Sequence, residues 1–255
     1  QMSLLLGYYD SLNSQGEHKV KYSQRASSGR YYGKCNLQLQ NISRKIRHSI
    51  CKDTMVDIDM SNAHPTLLRW YCNTNGIDCS GLNYYIDNRN LCLSDLIILR
   101  DQSKDEVKRD LLAIINGREK SVNELIASPV WYNQFYSNMR LIISEVSVKE
   151  PVLYDRAKLS KQNQSNGNFN IGGTCINYLM QSLENKALMT AYDTCTSRNV
   201  QVSALVYDGL MIYRNDHNQG DIEALLAQIT IDVSSCFFGG IDIQWLEKPM
   251  LEGID

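Results

Sequence analysis

The sequence predicts an α+β fold, a small antiparallel sheet backed by helices, with helical insertions between two acidic strand elements. Three observations predict it. Residues Thr54 to Met60 alternate apolar and acidic side chains at the two-residue period of a strand. Val202 to Tyr213 reads as two strands joined through Asp208-Gly209, a dipeptide that favours tight hairpins. Much of the chain between these elements carries helical patterns and helix-capping signals.

Taken in order, the first thirty residues are polar and weakly periodic and read as an N-terminal segment, 1–27, ahead of the folded core. A basic stretch follows, with Arg30, Lys34, Arg44, Lys45 and Arg47 interleaved with Tyr31 and Tyr32. Asn62 to Asn73 has a helical pattern, and Pro65 is tolerable in a first turn, where its missing N–H costs nothing. Ser103-Lys-Asp-Glu106 is a capping-box signature. It opens a helix bearing Val107, Leu111, Leu112, Ile114 and Ile115, which Asn116-Gly117 ends. Leu125 to Val148 reads as helical with an interruption near Pro129, and residues 160–173, rich in Asn, Gln, Ser and Gly, as a loop. A long helix over Thr174 to Arg198, a helix over Asp221 to Val233 and a strand over Ile241 to Leu246 complete the reading. No internal repeat is present.

Composition bounds the function. The 255 residues suit one large domain or two intimate subdomains, and a hydrophobic fraction of 43% supplies a core. A net charge of -2 argues against a protein that simply coats nucleic acid, while leaving room for a locally basic cleft. None of the eight cysteines forms a CxxC pair and the four histidines are scattered, so a zinc site is not expected. No secretory signal and no membrane-length apolar run is visible, and the cysteines read as reduced thiols of an intracellular protein. The chain opens at Gln1 without an initiator Met, which reads as a fragment, a processed product or part of a longer polypeptide.

Chemistry concentrates in a few residues. Asp57 and Asp59 lie two apart on the expected strand and therefore point to one face, and Asp208 lies at the expected hairpin tip. Carboxylates presented from neighbouring strand ends suit a pair of Mg²⁺ ions that clamp the attacking and leaving oxygens of a phosphoryl displacement. An Asp-Gly turn without chemistry is the ordinary alternative for Asp208, but two acids within an apolar strand are costly without a cation. Lys104 and Lys108 share one face of the expected helix and suit the phosphates of a nucleoside triphosphate; a solvated basic face is the plain alternative. The stretch from Arg30 to Arg47 suits a phosphate backbone, with tyrosines available for stacking, or an ordinary surface loop.

The ordered set resembles family A DNA polymerases. Ser28-Gly29-Arg30, Leu39-Gln40-Asn41-Ile42 and Ile46-Arg47 resemble the segment before motif A, which reads T-G-R, then N-L-Q-N-I-P, then Arg. Asp59-Met-Ser-Asn-Ala-His-Pro-Thr66 resembles motif A, D-Y-S-Q-I-E-L-R, in its Asp and in the Ser two places later. Lys108 with Gly117 resembles motif B, with Lys104 where that family has Arg, and Tyr207-Asp208 resembles the His-Asp of motif C. The resemblance covers roughly residues 28 to 213. His64 replaces the family's steric-gate Glu, Asn116 replaces its Tyr, and Leu112 replaces an aromatic residue or the Met of phage-type RNA polymerases. The tight spacing and these departures look like the compact transposon and viral branch of the superfamily (TV-Pol).

The resemblance implies a palm with motif A over 28–75, a fingers-like helical insertion with motif B over 76–150, and a palm segment with motif C over 151–255. It leaves no room for a 3′-exonuclease and little for a thumb. It implies a DNA polymerase of viral or mobile-element replication that uses Mg²⁺, primer–template DNA or an RNA primer, and nucleoside triphosphates, with a replicative helicase as partner and no membrane. Asp59 and Asp208 would bind the metal pair, with Asp57 an auxiliary ligand or a supporting residue. Lys108 would hold the triphosphate and protonate the pyrophosphate, and Lys104 would assist. Asn116 and Gly117 would lie near the nascent base pair and His64 near the incoming sugar. Arg30, Gln40, Arg44, Arg47, Gln181 and Tyr207 would hold nucleic acid or flank the metals, and Glu184 shares a helical face with Gln181. Two alternatives stand beside this reading: a primase or RNA polymerase of the same superfamily, and a non-catalytic nucleic-acid-binding module with a polymerase fold. The location expected is the cytoplasm or nucleus of an infected host.

Overall fold

A computed structural model describes residues 2–24, 29–162, 170–214 and 219–250. The elements in chain order are α1 (Met2–Asp10), β1 (Tyr22–Gln24), β2 (Tyr31–Gly33), α2 (Arg44–Cys51), β3 (Met55–Met60), α3 (Ala63–Asn75), α4 (Ser80–Asp87), α5 (Arg89–Arg100) and α6 (Lys104–Ile115). They continue with α7 (Val122–Ile126), α8 (Val130–Lys149), α9 (Pro151–Gln162), α10 (Ile171–Ser197), β4 (Val202–Val206), β5 (Gly209–Tyr213), α11 (Gln219–Cys236) and β6 (Trp245–Lys248). The fold class is α+β, as the sequence leads one to expect. The chain divides into two compact units, one made of residues 1–63 and 182–255 and the other of His64–Gln181, with the second boundary inside α10.

The first unit holds both sheets. The larger is four-stranded with order β4-β5-β3-β6, and β3 is antiparallel to both its neighbours. The apolar residues Val56, Ile58 and Met60 are almost fully buried, which ties the strand in place by its inward face. Val206 pairs with Gly209, so the hairpin loop is Tyr207-Asp208 rather than Asp208-Gly209. Gly209 is needed for a different reason than the turn: a Cβ there would meet the Ile58 carbonyl at 2.5 Å, so β5 can approach β3 only without a side chain. Leu39, Ile42, Cys51, Ala204, Val206 and Met211 form a core cluster, against which Leu4 and Leu5 of α1 pack. That packing accounts for a helix in a segment whose own periodicity is weak.

The second unit is helical. Its core includes Leu67, Leu68, Leu82, Leu96, Val107, Leu111, Tyr132, Phe135 and Ile142, all essentially buried. Gly81 lets α4 lie directly on α8, because a Cβ would stand 2.8 Å from the Gln134 carbonyl. Asn138 of α8 accepts a hydrogen bond from the Leu82 N–H at 3.1 Å and donates to the Asp78 carbonyl at 3.0 Å, so it caps α4, whose own N-cap Cys79 makes no side-chain capping bond. Ser103 caps α6 with the full reciprocal box to Glu106, and Ser121 does the same for α7 with Glu124.

Several boundaries differ from the expectation. The last strand is Trp245–Lys248, not Ile241 to Leu246, because register with β3 begins at Trp245 opposite Met60. The stretch read as a loop over 160–173 is partly helical: α9 runs to Gln162 and α10 starts at Ile171, while 163–169 lie outside the described residues. Ser28 of the Ser28-Gly29-Arg30 motif also lies outside them. Among the described residues no helix is long and apolar enough to cross a membrane. All eight cysteines are free, and burial pushes the Cys51 thiol up to about 11 and that of Cys195 to about 12, which suits packing rather than reactivity.

Candidate active site

Asp59 and the turn that carries Asp208 lie at one end of the larger sheet in the first unit. Asp59 is paired in register with Gly209, and the Met60 N–H donates to the Asp208 carbonyl at 3.3 Å, so the β3 carboxylate lies beside the turn that carries Asp208. Asp59 Oδ1 stands 3.0 Å from the position a Gly209 Cβ would take. The Asp59 side chain is 13% exposed. One oxygen, Oδ2, accepts from Lys248 Nζ of β6; the other, Oδ1, is buried with no hydrogen-bond partner among the described residues. Burial holds the Lys248 amine below the usual lysine range.

Asp57, on the same face of β3, has a different environment. It is 2% exposed, and its Oδ2 lies 2.7 Å from His48 Nε2, itself fully buried on α2. Desolvation lowers the His48 pKa, against the Asp57 charge that raises it. The pair fixes α2 against β3 and leaves Asp59 as the carboxylate of this strand with an unused oxygen.

The Tyr207-Asp208 turn is held from two sides. Tyr207 has φ of 57°, a left-handed conformation that costs a residue with a Cβ about 1 kcal/mol or more. Its hydroxyl donates to the Gln40 carbonyl at 3.2 Å, and the Arg30 guanidinium sits over its ring at 5.5 Å. Arg30 is itself paired through both Nε and Nη2 with Glu184, which is 0% exposed; the second of these bonds is 2.7 Å long. Burial lowers the Arg30 pKa, but the Glu184 bonds and charge, with Asp208 adding to them, leave it raised.

Three residues expected to grip nucleic acid from the basic stretch are engaged elsewhere. Gln40 is 5% exposed; its amide donates to the Tyr31 carbonyl and accepts from the Gly33 N–H. Arg47 is 7% exposed and donates to the Leu39 and Ile42 carbonyls. Both brace the loop before α2, because buried backbone carbonyls in an irregular segment need donors. Arg30 likewise serves Glu184. Arg44, at the start of α2, is exposed.

In the second unit, Lys104 is exposed in the first turn of α6 and Lys108, one turn on, is 37% exposed with Asp105 at 3.9 Å. His64 is half-buried in the first turn of α3. At the end of α6, Gly117 has φ of 81°, the left-handed position that ends helices. Asn116 is joined to α10 by amides: Asn177 Nδ2 donates to Asn116 Oδ1 at 3.0 Å, Gln181 Nε2 donates to Asn177 Oδ1 at 2.5 Å, and Asn170 Nδ2 donates to the Asn116 carbonyl at 2.8 Å. Sequence reasoning singled out Asn116 and Gln181 but missed Asn170 and Asn177. The spacing of Asn177 and Gln181, four apart on one helix, was the available signal. It also missed Lys248, for which no local signal exists, since only the β3–β6 register brings it to Asp59.

A divalent ion is implied by the family resemblance, and the residues fit one. A carboxylate with an orphaned buried oxygen, next to a turn that carries a second aspartate, is the kind of donor set Mg²⁺ takes from protein when substrate phosphates and water complete its shell. Among the described residues no group of three or more His, Cys, Asp or Glu is placed to hold a metal by itself.

No family model matches the chain. It is 31% identical over 242 residues to the protein named Putative helicase V13 of Sputnik virophage. The match takes in 91% of this chain but only 30% of that protein, so the chain spans a minor part of its relative's length. Among solved structures it is similar to the POL domain of Pol1 from M. smegmatis, in a complex with DNA primer-template and dNTP. There the TM-score is 0.62, the identity 14%, and the match covers 97% of this chain and 51% of the other. At that identity the likeness speaks to architecture: the chain has the fold of a polymerase domain.

Proposed function

We propose that this chain is a template-directed nucleotidyltransferase, a family A-like DNA polymerase of the compact transposon and viral branch, acting in viral or mobile-element replication. The observation that carries this reading is the orphaned Asp59 oxygen beside the Tyr207-Asp208 turn, within a polymerase-domain fold. A buried carboxylate oxygen without a donor is costly unless a cation takes it.

Asp59 and Asp208 would hold Mg²⁺, which when bound lowers the pKa of the primer 3′-hydroxyl and neutralises the triphosphate. The 3′-hydroxyl would give up its proton to solvent as its oxygen attacks the α-phosphorus; the new P–O bond forms as the bond to the β-phosphate oxygen breaks, and pyrophosphate leaves. Lys108 would donate to the triphosphate and give its own proton to the departing pyrophosphate, regaining one from solvent, with Lys104 adding charge one turn away. Asn116, braced by Asn170 and Asn177, lies near the nascent pair with Gly117; Arg44 contacts backbone phosphate and Gln181 the duplex. Asp57, held by His48, and Tyr207, held by Gln40 and Arg30, position the two metal ligands.

The palm is assigned to 28–75 and 151–255 and the fingers to 76–150. The virophage relative bears a helicase name and is much longer, which supports a helicase joined to or acting with this chain. His64, where family A has its steric-gate Glu, favours a second reading: primase or RNA polymerase activity with ribonucleotides. Extension of a labelled primer–template with Mg²⁺, run with deoxynucleotides and with ribonucleotides, separates the two. Preference for ribonucleotides selects the second reading. No extension with either, while Asp208→Asn and wild type bind primer–template equally tightly, refutes catalysis and selects a binding module.

A further inference from the structure

Lys248 pairs with Asp59 of the proposed metal site, and its placement follows from register. Its Cα partner across β3–β6 is Asp57, whose Oδ2 is already taken by His48. The lysine stem therefore reaches along the sheet face to the diagonal neighbour, Asp59, and its amine meets Oδ2. Oδ1 is left open. The lysine side chain is 35% exposed, so its head has a route to solvent.

We propose that Lys248 is a stand-in cation: it neutralises Asp59 while the site holds no divalent ion, and it withdraws when one binds. This inference rests on the reading of Asp59 as a metal ligand. A carboxylate this enclosed needs a counter-charge at all times. Two cations on one carboxylate repel, so the ion and the amine compete for Asp59. The residue type suits the task. A lysine is a single point charge on a flexible stem and takes one oxygen; an arginine there would take both in a bidentate pair and close the site.

The test is direct binding of Mn²⁺, followed by electron paramagnetic resonance, to the full chain without nucleic acid. Lys248→Met should bind Mn²⁺ at least about fivefold more tightly than wild type, as expected of a removed competitor. Lys248→Arg should bind it more weakly. Equal or weaker binding by Lys248→Met overturns the stand-in role. Asp59→Asn separates the two levels: if it binds Mn²⁺ as wild type does, the metal assignment itself fails. If it loses binding while Lys248→Met shows no gain, only the inference about Lys248 fails. Should Lys248→Met not fold, the wild-type protein with ¹³C-methylated lysines gives the same answer, since the Lys248 signal must move on saturation with Mg²⁺; an unmoved signal overturns the proposal.

Discussion

Two enclosed aspartates, one in each unit, have opposite electrostatic fates. Asp110, in the helical unit, is 13% exposed, the same as Asp59 in the sheet unit. Yet Asp110 Oδ2 accepts from Arg100 at 2.9 Å and from the Tyr132 hydroxyl at 2.7 Å, and its Oδ1 accepts from Lys120. Burial opposes its ionisation, but Lys120, Tyr132 and Arg100 together hold the carboxyl below the usual range. Asp59 has one lysine and one bare oxygen. Equal burial with unequal satisfaction sets a carboxylate that holds a fold together apart from one that keeps an unpaired oxygen, which the proposed function assigns to a metal ion.

The largest expected effects test that distinction by deletion. Asp59→Asn or Asp208→Asn should cut nucleotide incorporation by roughly a thousandfold, the scale of losing a main electrostatic stabiliser, with thermal melting little changed. Asp110→Ala should do the reverse in kind. It strands Arg100 and Lys120, and the stability measured by urea unfolding should fall by about 3 kcal/mol. Next is Gly209→Ala, whose Cβ would collide with the Ile58 carbonyl; a loss of about 2 kcal/mol in the same assay is expected, together with lost incorporation because the turn moves.

Acidity sharpens the contrast. The Asp110 pKa is depressed in the folded state, so its contribution is complete above the ordinary aspartate value of about 3.9 and is lost as pH falls through the lower folded value. Glu124, held at about 2 by the Ser121 backbone bond, Lys120 and the Ser121 hydroxyl, follows the same sign. Melting temperature should therefore drop as pH is lowered from 5 toward 2, and Asp110→Asn should flatten that drop. The smallest effect is Ser103→Ala, which removes the α6 cap at a cost of about 1 kcal/mol while leaving Lys104 and Lys108 in place.

What could be read from the chain alone follows the range of the interactions. The β3 strand, the capped α6 and the hairpin bearing Asp208 are written in local patterns, because alternation, caps and turns act over a few residues. The elements that carry Asp59 and Asp208 are legible for that reason, although the two-residue loop is Tyr207-Asp208 rather than Asp208-Gly209. The supports of the site were not legible. Glu184 reaches Arg30 across 154 positions and Lys248 reaches Asp59 across 189, and nothing near any of them in sequence announces the partner. Gln40 and Arg47 show the same limit: their place in a basic stretch suggests a nucleic-acid contact, while their burial and their bonds to backbone carbonyls depend on the folded loop. α1 was missed because its reason for being helical lies in the cluster it covers, not in its own period.

One measurement bears most directly on the role of the two aspartates: single-nucleotide incorporation on a primer–template as a function of Mg²⁺, for wild type, Asp59→Asn and Asp208→Asn. Mg²⁺-dependent incorporation by wild type, lost in both variants while each still melts cooperatively and binds primer–template, is the result predicted here. Undiminished incorporation by either variant would contradict the assignment of the site.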